Sequence, residues 1–393
     1  MPNAECGINE VPLWENREPS AADAWHAVGS PGGYEWWYFD AEDAAGGIRV
    51  VAILLDGFVF HPGYLRAYYR YRRRPTRHRP PLAREYPCAY FVVYESGKLA
   101  HQFMTQYPAG SLLAAKDRPE VEIGPNRFWR ENGALRLRLA GTPWVLTGMG
   151  PKLLSGQSLE GDFTFAPRSA EMPAERTFLS QAMTGEQHRW VIANPLCDVQ
   201  GSIRHSGSGV SPLDCEARSR DGSATLNQIE FTGRGYHDHN YGTGPLGPGL
   251  ARWIWGRVLL GDRVATFHYA RPRDRRLGDE VHLIEADAAG IRDLPVARVT
   301  ADWSQKTRLW LAYPAELRFD DILCLSNPRV IDSAPFYMRL VYEAAFKGQR
   351  GSALCEVAYP HRLLWPVLGR MIEMSIERRA LTPLTMPTRG GTE

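Results

Sequence analysis

Gly235-Tyr236-His237-Asp238-His239-Asn240-Tyr241-Gly242 sets one carboxyl, two imidazoles, an amide and two phenols in a row. An ordinary core strand does not read this way. Taken as a strand, its side chains alternate, so Tyr236, Asp238 and Asn240 point one way while His237, His239 and Tyr241 point the other. Whichever face meets an apolar cavity supplies either a lone acid between hydrogen-bonding neighbours or a His-x-His pair of the kind that can hold a metal.

Short runs of alternating, β-branched and aromatic character surround this stretch. Before it they include Glu35 to Asp40, Arg49 to Asp56, Cys88 to Glu95, Ala100 to Tyr107, Ala134 to Ala140, Gly161 to Phe165 and Arg189 to Ala193. After it, Arg252 to Leu260 and Arg263 to Ala270 flank Gly261-Asp262, a two-residue link that closes a tight hairpin. Further strands are expected at Glu280 to Asp287, Arg308 to Tyr313, Tyr337 to Lys347 and Ala353 to Ala358, and helical periods are nearly absent. The pattern predicts an all-β, antiparallel protein of two barrels or sandwiches. At 393 residues two domains are expected. The small, polar loop from Ser206 to Ser223 marks the passage between them, giving domains 1–215 and 216–393.

A second aromatic block, Gly33-Tyr34-Glu35-Trp36-Trp37-Tyr38-Phe39-Asp40, puts Trp36, Tyr38 and Asp40 on one face and Glu35, Trp37 and Phe39 on the other. A carboxyl inside such a wall needs a partner, and apolar walls raise its pKa. The blocks EWWYFDA, HRWVIANPLCDVQGSI at 188–203, and YHDHNYG followed by RWIWGRV at 252–258 together resemble the carotenoid 1,2-hydratase family, also called hydroxyneurosporene synthase. The resemblance spans about residues 30 to 270 and implies paired lipocalin-like domains with an aromatic pocket at or near their interface. The same superfamily holds terpenoid hydratases, fungal Diels-Alderase relatives and AttH-like members without assigned activity. Its usual last motif ends in Trp-Gly, and Tyr241 stands here where that Trp is common.

Asp238 matches the family's central acid. It is the expected proton donor to a terpenoid or isoprenoid double bond, with Tyr236 and Asn240 orienting its carboxyl. His237 and His239 lie behind it or, through a bulge, hold water, and Glu35 is the second candidate acid. Trp36, Trp37, Tyr38, Tyr241, Trp253, Trp255 and His268 are the expected pocket lining, the indoles able to stabilise a cation through their π faces. Water capture makes a hydratase and internal capture a cyclase. A pericyclase shaping a polyene, or a carrier of a hydrophobic ligand, are the other readings. A metal would need ligands from His268, Glu35 or Asp40 to converge on His237 and His239; spacing singles out none of them, and neither a metal nor a cofactor is expected.

The composition suits this: 12 Trp, 17 Tyr and 14 Phe fit a pocket for a hydrophobic isoprenoid or polyene. With 46 basic against 44 acidic residues there is no global field for nucleic acid. Locally, RAYYRYRRRPTRHR from Arg66 to Arg79 is expected as a solvated loop broken by Pro75 and Pro80, with phosphate, anionic membrane or RNA as possible contacts. His361 to Arg379, rich in apolar residues between arginines, rests either on a membrane surface or on the protein's own core. Cysteines Cys6, Cys88, Cys197, Cys215, Cys324 and Cys355 lack short paired spacing, and the N-terminus lacks a signal pattern, so a cytoplasmic protein with possible peripheral membrane contact is expected.

Overall fold

A computed structural model describes residues 22–147, 150–168, 174–179, 185–206, 226–247 and 249–379. Two curled antiparallel sheets dominate it. In chain order, the elements that build their contact are β1 (Tyr34–Asp43), β2 (Ile48–Asp56), helix α1 (Pro62–Arg73), β3 (Cys88–Glu95), β4 (Lys98–Gln106), the hairpin β5 (Trp144–Thr147) and β6 (Gly150–Leu153), and β7 (Leu159–Pro167). There follow β8 (His188–Ser206), β9 (Leu226–Gly242), β10 (Leu250–Leu260), β11 (Arg263–Pro272), β12 (Glu280–Asp287), β13 (Leu323–Ala334), β14 (Tyr337–Phe346), β15 (Gln349–Ala358) and helix α2 (Pro366–Met374).

The first sheet carries the order β4-β3-β2-β1-β9-β8-β7 at its centre, and the second β12-β11-β10-β15-β14-β13. Alternation then sorts every strand between two environments. Trp37, Phe39, Phe91, Phe128 and Phe165 fill the hollow of the first sheet, and Phe267, Phe319, Leu340 and Phe346 fill that of the second. The opposite faces, carrying Trp36, Tyr38, Trp190, Tyr236, Trp253 and Trp255, form one shared cluster between the sheets. All-β architecture with two curled sheets is as expected.

Four expectations need correction. The strands on either side of residue 215, β8 and β9, pair with each other within the first sheet, so the chain changes sheet between Gly242 and Leu250. Residue 215 itself, the loop 207–223 and Cys6 and Cys215 lie outside the described residues. The arginines from Arg66 to Arg73 belong to α1 rather than to a loop. Pro62 opens that helix at a position where its missing N–H costs nothing, and His61 caps it by accepting from the Gly63 and Tyr64 amides. A second helix, α2, lies within 361–379. The strand expected over Arg308 to Tyr313 shrinks to Ala312–Tyr313, because the chain turns at Trp310 with φ of 55°. The hairpin at Gly261-Asp262 forms as read, with Leu260 opposite Arg263 and Gly261 at φ 65°.

Two buried arginines reach across the shared face, one in an ion pair and one in hydrogen bonds to phenols. Asp40 of β1 meets Arg257 of β10, both fully buried. Burial raises the Asp40 carboxyl while Arg257 pulls it down, the net result being above its ordinary range. Arg339 of β14 donates to Tyr90 and Tyr94 of β3, each at 2.8 Å, and to Glu356 of β15 at 2.8 Å. Removing one partner of a buried pair leaves the other uncompensated, whereas replacing both with apolar groups removes the desolvation cost as well. Arg257→Met is therefore expected to lose about 3–5 kcal/mol in urea unfolding. Asp40→Leu combined with Arg257→Met is expected to regain most of that loss.

Candidate active site

β9 lies between β1 and β8, with Asp238 opposite Tyr38 on one side and Ile192 on the other. This central position buries Asp238 to 3% exposure. On the shared face, its Oδ2 accepts from Trp190 Nε1 at 2.9 Å and Tyr236 Oη at 2.8 Å, and its Oδ1 accepts from Asn240 Nδ2 at 2.9 Å. Burial raises the Asp238 pKa to about 7, outweighing the hydrogen bonds from Tyr236 and Trp190 that favour the carboxylate. A carboxyl poised there supplies a proton at neutral pH and takes it back.

The opposite sheet faces this acid with rings. Trp255 meets Tyr38 edge-on at 4.9 Å and lies 5.4 Å from Tyr236, and His268 stands against Trp190 at 4.2 Å. Trp253 donates to His268 Nδ1 at 3.1 Å, and burial drives the His268 pKa well down, so that imidazole is neutral. From there an aromatic lane runs through Trp253, Trp36, Phe60 and Phe336, with adjacent centroids 5.3–6.5 Å apart. The buried polar atoms on this face without a hydrogen-bond partner among the described residues include Asn240 Oδ1 and Trp255 Nε1.

The sequence candidates are thus divided by the sheet. Asp238, Tyr236, Asn240, Trp36, Tyr38, Trp253, Trp255 and His268 gather between the sheets. His237, His239, Glu35, Trp37 and Tyr241 lie on the far side of β1 and β9 and do not reach that face. There, His237 Nδ1 lies 2.9 Å from the Tyr38 carbonyl, to which it can donate, and its Nε2 lies 3.1 Å from the Asp23 carboxylate. Glu35 Oε1 contacts His239 Nε2 at 2.9 Å, His26 Nδ1 at 3.0 Å and the His26 amide at 2.7 Å. Burial raises the Glu35 pKa, but the two imidazoles more than offset it and hold the carboxyl below its ordinary range. Trp37 stacks on His239 at 4.7 Å, and Tyr241 stacks on His26 at 3.9 Å while donating to Glu175.

His26, Glu35 and His239 each bring a ligand atom within 4.8 Å of the others, the one such group among the described residues. The metal set weighed from sequence is a different one, since His237 turns to Asp23, His268 lies across the sheet and Asp40 pairs with Arg257. Trp190, Asp23 and His26 escaped the sequence reading. Trp190 sits inside the quoted HRWVIANPLCDVQGSI block and its alternation with Ile192 was a usable signal. Asp23 and His26 lie in a short, aperiodic segment with none.

With this geometry in hand, the chain is a two-sheet β enzyme carrying a desolvated acid against an aromatic wall. Its sequence agrees: a family model described as carotenoid hydratase CrtC matches residues 211–385. The chain is 32% identical to the hydroxyneurosporene dehydrogenase of Chlorobaculum tepidum, over 81% of this chain and 79% of that one. It is 22% identical to the acyclic carotenoid 1,2-hydratase of Rubrivivax gelatinosus, over 89% of this chain and 74% of that one. The protein belongs to the carotenoid hydratase CrtC family, a family of hydro-lyases. In fold it is similar to an AttH protein of Nitrosomonas europaea, with a TM-score of 0.55 and 16% identity over 91% of this chain and 99% of that one, which fits the lipocalin-like expectation.

Removing a donor to the carboxylate disfavours the charged form. Trp190→Phe is therefore expected to move the Asp238 titration upward from about 7. The carboxylic acid carbonyl band in infrared difference spectra against Asp238→Asn follows this directly, and an unmoved midpoint contradicts the assigned hydrogen bond.

Proposed function

We propose that the protein adds water across an isolated double bond of an acyclic, carotenoid-like isoprenoid, with Asp238 as the acid. The observation that carries this reading is a buried carboxyl with a pKa raised to about 7, set against indoles that can face a carbocation. The names of the curated relatives support the substrate class.

Trp190 and Tyr236 both occupy Oδ2, so Oδ1, bonded only by Asn240, carries the proton. That proton goes to the less substituted alkene carbon, forming a C–H bond and leaving a tertiary cation. Trp36, Trp253 and Trp255 offer it their π faces while the apolar interface keeps bulk water away. A single water then forms the C–O bond, held through one hydrogen by the unpaired Asn240 Oδ1. Its second proton returns to the Asp238 carboxylate. The sum is alkene plus water to tertiary alcohol, with the acid regenerated. The rings of Trp36 and Trp253 lie 6.5 Å apart, so a substrate enters by parting that lane.

His237, His239 and Glu35 act in this scheme as supports for β9 from behind rather than as proton carriers. Incubation with acyclic carotenoids and shorter terpenoids in deuterated water is expected to give a product heavier by one water, with deuterium fixed at carbon. Asp238→Asn is expected to lower that rate by at least about a hundredfold, the usual range for removing a general acid. Product of unchanged mass carrying deuterium would make the enzyme a cyclase. Product free of carbon-bound deuterium and formed equally by the variant would sink acid catalysis and favour a pericyclase.

A further inference from the structure

The large apolar side chains that this fold leaves in water are gathered on one side. Leu364, Trp365, Val367, Met371 and Met374, on and just before α2, are all exposed, Val367 to 71%. Leu146 and Leu153 on the β5–β6 hairpin, which packs beside α2, are exposed too. Trp310 is 76% exposed at the tip of a turn that a bulky residue enters only at a conformational cost, with φ of 55°. Arg362 ties that turn to the same patch, donating to the Trp310 carbonyl at 3.0 Å and lying over the Trp365 ring at 5.5 Å. Of the large hydrophobics exposed among the described residues, Leu113 is the one that these elements do not carry.

Positive charge frames the patch. Helix α1 packs against α2, closely enough that a Cβ at Gly369 would meet Pro62 at 3.4 Å. From Pro62 to Arg84 the chain holds no Asp or Glu, and Arg66, Arg70, Arg72 and Arg73 are exposed on α1. Arg370, Arg378 and Lys152 are exposed around α2 and the hairpin. Between the two helices opens a cleft of ≈ 340 Å³ lined by His61, Arg66, Gln106, Glu373, Arg378 and Arg379. Its size and cationic rim suit a lipid phosphate. Apolar side chains with tryptophans, ringed by arginines, are what binding in the interface of an anionic bilayer requires.

The inner side of this surface is the outer end of the aromatic lane. Leu363 and Ile372 are buried in the same cluster as Trp36, Trp253 and Phe58. We propose that α1, α2, the Trp310 turn and the β5–β6 hairpin form a docking face for an anionic phospholipid bilayer, and that the hydrophobic substrate passes from lipid between these helices into the lane. The docking part stands on the surface alone, and the passage rests on the proposed hydration. None of the described helices is long and apolar enough to cross a membrane, so α2 lies in the interface plane.

Flotation of the full chain with phosphatidylcholine vesicles, with and without phosphatidylglycerol, tests the face. The wild type is expected to float with the anionic vesicles, less with the neutral ones, and to be released partly by high salt. Val367→Glu combined with Met374→Glu alters exposed positions, leaves circular dichroism unchanged, and is expected to lower anionic-vesicle partitioning at least tenfold. A wild type that stays in solution with both vesicles, or a double variant that floats as well as the wild type, overturns the proposal. So does a wild-type dimer without vesicle binding that the double variant turns into a monomer, because the face then joins two copies of this chain. Binding of RNA in place of vesicles also counts against it. For the passage, both proteins should hydrate detergent-solubilised substrate equally, with only the wild type active on substrate held in vesicles. Turnover in neither format, with flotation intact, would instead fault the hydration reading and leave the docking face standing.

Discussion

An ionisable carboxyl is held almost dry at the contact of two sheets, and the surrounding structure is arranged around that cost. Burial by itself pushes the Asp238 carboxyl up, toward its neutral form. Donors from Tyr236 and Trp190 oppose that burial and leave the pKa at about 7, while Asn240 holds the other carboxyl oxygen. All three stand on β8 and β9, so the central pairing of the first sheet fixes the acid's surroundings. A donor on a loop would not hold the same balance, since the first shell of such a site needs rigid support.

The two sheets meet through their outer faces, each keeping its own filled hollow behind. This explains why polar groups in β1 and β9 divide so cleanly. Groups facing the second sheet must live with indoles, and the acid among them, Asp238, is held by three donors. Groups facing the hollow form the Asp23, His237, His239, Glu35 and His26 network, in which each carboxylate meets an imidazole. That network fastens the segment around Ala22 to Trp25 against β9 and makes the strand's rear rigid. The Asp40–Arg257 pair and the Arg339 network do the same between the sheets, fixing how the rings oppose one another.

Much of this was legible in the residues. Period-two alternation sorted Tyr236, Asp238 and Asn240 from His237 and His239, and Trp36 and Tyr38 from Glu35 and Trp37, because side-chain direction in a strand is fixed by the pleat. What alternation does not report is which strands are neighbours. Trp190 becomes a partner of Asp238 only through the register of β8 against β9, with Ile192 opposite the acid. The change of sheet after Gly242 was misplaced for a related reason: a polar stretch such as 207–223 resembles a domain linker whether or not the strands flanking it are paired. The helix at Pro62–Arg73 was missed because Pro75 and Pro80 were read as breaking the whole arginine run, whereas the helix ends before them and Pro62 opens it. Asp23 and His26 had no periodic context, and only the folded chain brings them to Glu35 and His237.

The account turns on proton transfer from Asp238 to carbon being the step that limits turnover. Its most direct test is the pH dependence of kcat/KM measured together with the solvent isotope effect. The acid form is required, so kcat/KM should hold at low pH and fall as pH rises through about 7, with a clear slowing in deuterated water on the plateau. A rate that is flat from acid to alkaline pH and equal in both waters would contradict it.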